Sequence, residues 1–217
     1  MDLEKLAKKS SIDGEIWVTE FTTEAALDFR KEILEACNGD PMRPVIVYIN
    51  SYGGAVDALA SMVETVEEVP NPIITVAHGV AMSCGAVLLS CGDVRFCGRH
   101  SRVMVHEASG GVQPGDVHDM HADAVEVKRL NRWFMGLLAK NCGIPGGYEA
   151  IRKMIKGQDG REKYMDATEA VKFGIVDLVG MPKLSRMKLY QVDVVAEKKR
   201  PAKNKPSRSR KGITRSR

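Results

Sequence analysis

A single serine, Ser83, stands among small residues in the stretch HGVAMSCGAVLLSCGD, residues 78–93. The residues before it are typical of a buried strand, and those after it of a helix. A serine where a helix begins has an exposed hydroxyl, and the N–H of the next residue, Cys84, is free to bind an oxyanion. The same hydroxyl could instead cap the helix. The stretch therefore predicts either a nucleophile or a helix cap.

A serine nucleophile needs a base, because its hydroxyl is weakly nucleophilic at neutral pH. His106 ends the apolar stretch SRVMVHEA, residues 101–108, and reactive groups gather at the carboxyl ends of parallel strands. It is the candidate base, and a buried histidine held by hydrogen bonds is the alternative. His118 and His121 have a spacing that metal ligands can adopt, but nothing completes a zinc shell. We therefore expect no metal and no cofactor.

A second turn that could do chemistry lies in YINSYGGAVDA, residues 48–58. There Gly53 and Gly54 leave a strand and open a helix. Glycine lets backbone N–H groups approach and face a bound anion or carbonyl. The pattern indicates a binding turn at the same edge of the sheet as Ser83.

The elements that must position these residues alternate along the chain. Strands are predicted at residues 15–21, 43–50, 72–78, 93–98, 101–108 and 175–179. Helices follow most of them. The first helix is capped by Thr22 or Thr23 and closed by Asn38-Gly39, and the last begins near Asp166. Repeated strand–helix–strand units predict one α/β domain with a largely parallel sheet.

The longest predicted helix runs from Asp116 to about Asn141, with one apolar stripe from Val117 to Leu138. It would span about 39 Å, which is more than a small domain needs. We expect it to project from the body and to pack on a second copy of the chain.

Composition limits the class of protein. Of 217 residues, 44% are apolar and 28% charged, as in soluble globular proteins. The apolar runs are too short to cross a membrane, and the charged N-terminus has no secretory core. Five cysteines without a CxxC pair suit reduced thiols, so we expect a cytoplasmic protein.

The charge divides the chain into an acidic body and a basic tail. Residues 198–217 carry ten Lys or Arg and no acidic residue. We expect a short N-terminal segment at 1–14, a domain at 15–182 and a disordered basic tail at 183–217. The tail is either a solubilising extension or an arm for nucleic acid.

Four blocks together resemble the proteolytic subunit of the Clp protease, ClpP: YINSYGGAV, GVAMSCGAVLLSCG, RFCGRHSRVMVHEASGG and MDATEAVKFGIVD. The resemblance covers roughly residues 45–180 and implies a ClpP/crotonase-like fold with a handle helix. It further implies a serine endopeptidase that acts on polypeptides inside two stacked heptameric rings, with a Clp-type ATPase as candidate partner. Only about fourteen residues precede the first strand, so the axial loops that meet that ATPase are expected to be shortened or absent.

The resemblance assigns a role to each matching residue. Ser83 matches the nucleophile and His106 the general base. Gly54 and Cys84 match the backbone donors of the oxyanion hole. Gly110 and Gly111 match the stretch that binds extended substrate as an added strand.

The third member of the triad departs from the family pattern. Glu162 stands where the family has aspartate, with Asp159 and Asp166 as alternatives, and the preceding stretch, residues 142–160, is longer than expected. The missing aspartate leaves an inactive ring scaffold as an alternative function. A crotonase-type acyl-CoA enzyme is the other, because crotonases use similar backbone amides without a serine.

Overall fold

The predicted strands form one sheet that carries the candidate residues at its edge. The structure, a computed structural model, describes residues 15–108, 116–156 and 162–183. Within these ranges the elements are β1 (Glu15–Val18), α1 (Thr23–Cys37), β2 (Val45–Ser51), α2 (Val56–Glu68), β3 (Ile73–Met82), α3 (Cys84–Ser90), β4 (Val94–Cys97), β5 (Arg102–His106), α4 (Val117–Asn141), α5 (Gly147–Lys156), β6 (Glu162–Met165), α6 (Ala167–Phe173) and β7 (Leu178–Val179).

The sheet is largely parallel, as predicted. Strands β1, β2, β3, β4 and β7 lie side by side in that order, and all of these pairs are parallel. The long strand β3 pairs with two strands along one edge: residues 74–77 pair with β4, and residues 80–82 pair with β5. Gly79 lies between these two halves with φ +97°, a conformation that favours glycine. Gly79 thus marks the point where the partner of β3 changes from β4 to β5, and Met82 at the end of β3 pairs with Met104 of β5.

Helix α1 begins and ends at the residues that its caps predict. The Thr22 side chain accepts a hydrogen bond from the N–H of Ala25, and α1 ends before Asn38. Its buried side chains, Ala26, Phe29 and Ile33, recur every three or four residues, as an amphipathic helix requires. Both ends of this helix were predicted correctly.

Most of the core lies between the sheet and the helices. It contains alternate strand residues, such as Val45, Val47 and Ile49 of β2, together with the buried faces of the helices. The opposite residues Ile46 and Tyr48 form a second cluster that contains only strand side chains. Strand β2 is therefore buried on both faces, as predicted, although within the described residues no helix belongs to the second cluster.

Helix α4 has two halves with different surroundings. Asp116 caps it through hydrogen bonds from two backbone N–H groups. The first buried residue is Asn131, so residues 117–130, about 21 Å of helix, have no buried side chain. We call these residues the projecting half. The predicted apolar stripe is therefore divided, and its later members Phe134 and Leu138 belong to the chain's own core rather than to a contact with another copy.

Two elements, α5 and β6, were not predicted. Helix α5 buries Ile151 and Ile155, whose spacing of four was a readable helical signal. Strand β6 has only four residues, three of them polar or half-exposed, and such a strand has no periodic signal of its own. Among the described helices, none has the length and apolar character that crossing a bilayer requires.

Candidate active site

Ser83 occupies a strained turn between β3 and α3. Its φ of 54° and ψ of −119° lie outside the helical region, and helix α3 begins one residue later, at Cys84. Among the described residues it is the only non-glycine residue with positive φ. The N–H of Ser83 donates to the carbonyl oxygen of Met104, 2.9 Å away, which fixes the turn against β5. Such a conformation costs of order 1–3 kcal/mol and is typical of functional sites.

The Ser83 hydroxyl does not cap the helix behind it. It forms no capping hydrogen bond, and its Oγ lies 2.8 Å from Nε2 of His106. The capping interpretation of this hydroxyl is therefore wrong. When Nε2 is unprotonated, the hydroxyl donates to it, which is the arrangement that a serine and its general base require.

His106 reaches Ser83 because two neighbouring parallel strands end at the same edge. Met82 of β3 pairs with Met104 of β5, and His106 follows two residues later. Side chains two apart in a strand share a face, so Met104 and His106 lie on the same side of the sheet. His106 is half-buried. The structure thus brings the predicted nucleophile and the predicted base into direct contact.

Glu162 lies directly opposite His106. The two residues are paired in the antiparallel ladder between β5 and β6, where opposite Cβ atoms are about 4.5–5.5 Å apart on one face. Oε2 of Glu162 accepts a hydrogen bond of 2.8 Å from the hydroxyl of Tyr164. Among the described residues, no carboxylate is hydrogen-bonded to the His106 ring. The register supports Glu162 as the third member, which stays a prediction.

The two alternatives to Glu162 differ in what the structure describes. The Asp166 side chain accepts from the N–H of Glu169, and the Glu169 side chain accepts from the N–H of Asp166, which forms a capping box on α6. That side chain is already used at a helix end, as its position before the last helix predicts. Asp159 lies outside the described residues.

The two predicted oxyanion donors belong to turns that contact each other. A Cβ on Gly53 would lie 2.7 Å from Cβ of Ser83, so the glycine turn packs directly against the serine. The buried thiol of Cys84 donates to the carbonyl oxygen of Gly54, 3.3 Å away, and joins the two turns. Burial raises the pKa of the Cys84 thiol, which keeps it protonated and makes it a poor nucleophile. The N–H of Cys84, at the first helical position, has no partner within its helix.

Side chains from α4 and α5 hold the chain just beyond His106, and sequence reasoning missed them. Oδ1 of Asn131 accepts from the N–H of Ala108 at 2.6 Å, and its Nδ2 donates to the Ala108 carbonyl at 3.0 Å. Oε1 of Glu107 accepts from the hydroxyl of Tyr148 at 2.9 Å. The same oxygen forms an ion pair with Nε of Arg152 at 2.9 Å. A polar Asn131 inside the apolar stripe was the one signal for this arrangement.

The remaining predicted residues are not part of this cluster. Gly110 and Gly111 lie outside the described residues, so their substrate-binding role stays a prediction. His118 and His121 are exposed on the projecting half of α4. In the part of the chain that the structure describes, no three His, Cys, Asp or Glu side chains are grouped so as to hold a metal ion.

Comparison with known proteins identifies the family of this chain. The sequence model of the family described as Clp protease matches residues 3–183. The chain is also similar to the ATP-dependent Clp protease proteolytic subunit 3 of Rhodococcus jostii (strain RHA1). The two are 36% identical over 150 residues, which is 68% of this chain and 71% of that protein. The family match spans the turn of Ser83 and the strand of His106, and the chain therefore belongs to the Clp protease family.

Proposed function

We propose that this protein is a ClpP-like serine endopeptidase that hydrolyses peptide bonds in polypeptide substrates. The observation that carries the proposal is the contact of 2.8 Å between Oγ of Ser83 and Nε2 of His106. Two further features support it: the strained backbone of Ser83 and its position at the N-terminus of a helix, where negative charge is stabilised.

In the proposed first step, Oγ of Ser83 attacks the carbonyl carbon of the scissile peptide bond. Nε2 of His106 takes the hydroxyl proton, and the carbonyl oxygen becomes an oxyanion. The N–H groups of Gly54 and Cys84 donate to that oxyanion. The Glu162 carboxylate accepts the Nδ1–H of the imidazolium and stabilises its charge.

The tetrahedral intermediate then collapses. The C–N bond breaks, and His106 gives its proton to the leaving amine, so that an acyl-enzyme remains on Ser83. Water attacks this ester with His106 again as base, which releases the new carboxyl end and restores the serine. In this scheme Gly110 and Gly111 bind the extended substrate as an added strand.

The proposal includes an assembly. The projecting half of α4 has no buried side chain of its own, which supports its packing on another copy. We propose two stacked heptameric rings that enclose the active sites, located in the cytoplasm. A Clp-type ATPase is the candidate partner, since the Rhodococcus relative is named as ATP-dependent. The basic residues 198–217 are a candidate arm for nucleic acid.

Replacement of Ser83 by alanine tests the chemistry. We expect Ser83→Ala to lower peptide hydrolysis at least about 1,000-fold and to abolish labelling by a fluorophosphonate probe. The fold should persist, because the hydroxyl caps no helix. Ser61→Ala is the matched control and should behave as the parent.

An alanine variant that cleaves peptides at the parent rate would exclude the serine mechanism. A parent protein that assembles but neither cleaves peptides nor reacts with the probe would favour the inactive ring scaffold. Stabilisation of the parent by coenzyme A would favour the acyl-CoA alternative.

A further inference from the structure

The face of the β5–β6 ladder that carries His106 also carries two exposed polar side chains, Glu162 and Tyr164. Glu162 is paired with His106, and Tyr164 with Met104. Glu162 and Tyr164 are two residues apart in β6, so both side chains lie on this face. Both are exposed. The Tyr164 ring therefore lies beside the carboxylate that faces the catalytic imidazole.

The Tyr164 phenol donates a hydrogen bond to one specific oxygen of this carboxylate. The distance from its hydroxyl to Oε2 of Glu162 is 2.8 Å. The hydrogen bond and the negative charge of Glu162 raise the pKa of the Tyr164 phenol. The phenol thus stays protonated, and remains a donor, throughout the neutral range.

A glutamate in this position needs such a restraint more than an aspartate would. It has one more rotatable bond, and an exposed glutamate loses rotamer freedom when it is held in one conformation. A hydrogen bond at Oε2 restricts the side chain and leaves Oε1 without that donor. Since Glu162 and His106 face each other across the ladder, Oε1 is the oxygen available to the imidazole.

From this arrangement we infer that Tyr164 is a positioning residue, which holds Oε2 of Glu162 so that Oε1 can accept the Nδ1–H of His106. The inference rests on the proposed function. The hydroxyl of Tyr164 binds Glu162 and not Ser83 or His106. It acts only through Glu162, and this dependence can be measured.

A double-mutant cycle tests the inference with Tyr164→Phe, Glu162→Gln and the combined variant. We expect Tyr164→Phe to lower kcat for a short peptide about three- to tenfold while KM stays within twofold. In the Glu162→Gln background, the same change should alter kcat less than twofold, because the group through which Tyr164 acts is gone.

Tyr48→Phe is the matched control. The Tyr48 hydroxyl lies 3.5 Å from a carboxylate oxygen of Glu15, on a strand distant from His106, and kcat should not change. A second measurement needs no activity: ultraviolet titration, with Tyr164→Phe as reference, should show Tyr164 ionising at lower pH in Glu162→Gln than in the parent.

Three outcomes would overturn the inference. The kcat of Tyr164→Phe could equal that of the parent. The change Tyr164→Phe could lower kcat by the same factor with and without Glu162→Gln. The kcat of Glu162→Gln could equal that of the parent. In each case fluorophosphonate labelling of Ser83 would persist, so the proposed serine mechanism would stand. Absence of labelling in the parent would overturn the mechanism and the inference together.

Discussion

At the scale of single residues, the site depends on how closely the glycine turn approaches Ser83. Gly53 has φ +108°, and a Cβ there would lie 2.7 Å from Cβ and 3.2 Å from Oγ of Ser83. We expect Gly53→Ala to displace the serine from His106 and to lower kcat/KM at least about tenfold. Peptide hydrolysis and fluorophosphonate labelling measure this loss.

Gly39 provides a control for the backbone cost alone. It also has positive φ, +93°, but a Cβ added there would have no neighbouring atom within 4 Å. Gly39→Ala should cost about 1 kcal/mol in stability, as alanine does at positive φ, and leave the peptidase rate unchanged. Equal rates for the two alanine variants would show that the approach of Gly53 does not position the serine.

The candidate residues differ in how far the sequence could predict them. Ser83 follows one strand and His106 ends another, and the apolar character of both strands is readable, so their shared edge was predictable. The prediction of Glu162 depended on the family resemblance, because its position opposite His106 arises from the register of a short polar strand. The contacts of Asn131 with Ala108 depend on how the elements pack, and no local pattern specifies such contacts. Tyr164 contacts Glu162 within one strand, but that strand, β6, was itself not predicted.

At the scale of elements, Arg95 joins β4 to the ends of two helices. Its guanidinium binds both carboxylate oxygens of Asp177 and donates to the carbonyls of Asn141 and Gly174, at 3.0 and 2.9 Å. These carbonyls lie at the ends of α4 and α6, where no helical N–H can reach them. The side chain of Arg95 is 15% exposed.

We expect Arg95→Gln to lower the free energy of unfolding by about 2 kcal/mol, measured by urea denaturation. Arg30→Gln is the control, since Arg30 and Glu68 form an exposed ion pair and such pairs contribute about 0–1 kcal/mol. Equal losses of unfolding free energy in Arg95→Gln and Arg30→Gln would contradict the bridging role of Arg95.

This stabilisation should depend on pH in a defined direction. The hydrogen bond from Arg95 lowers the pKa of Asp177 below its usual 3.8. The stabilisation by the Arg95–Asp177 contact is therefore fully present above pH 3.8. It is lost as the pH falls through the lower pKa that Asp177 has in the folded state. The difference in the free energy of unfolding between the parent and Arg95→Gln should become smaller as the pH falls through the same acidic range.

The long helix α4 was predicted with nearly correct ends, and so were the short elements β4 and α6, whereas β6 was missed. Helix α4 has 25 residues and a cap at Asp116, so its limits follow from the sequence. Strand β6 has four residues and depends on pairing with β5. Burial cannot be read from a stripe alone, since Val117 and Phe134 lie on the same predicted stripe but differ from 80% to 0% exposed.

At the scale of the whole molecule, the projecting half of α4 is the part that an assembly would cover. Met120 is 47% and Val125 54% exposed there. We expect Met120→Glu to separate stacked rings and so to reduce the mass seen by analytical ultracentrifugation about twofold, because a charge buried between subunits without a partner is strongly unfavourable.

Met42→Glu is the control, because Met42 is 78% exposed in the turn after α1. It should sediment as the parent does. A parent that sediments as a monomer, or a Met120→Glu variant with an unchanged sedimentation coefficient, would contradict the assembly.

The positive φ of Ser83 also bears on what the chain has been selected for. Glycine would adopt this conformation without strain, so a chain selected only to fold and assemble would gain stability by losing the serine side chain. At this position, keeping the serine hydroxyl lowers the stability of the fold. A serine in such a conformation, within hydrogen-bond distance of a histidine, is what the proposed peptidase would require and what stability alone would not favour.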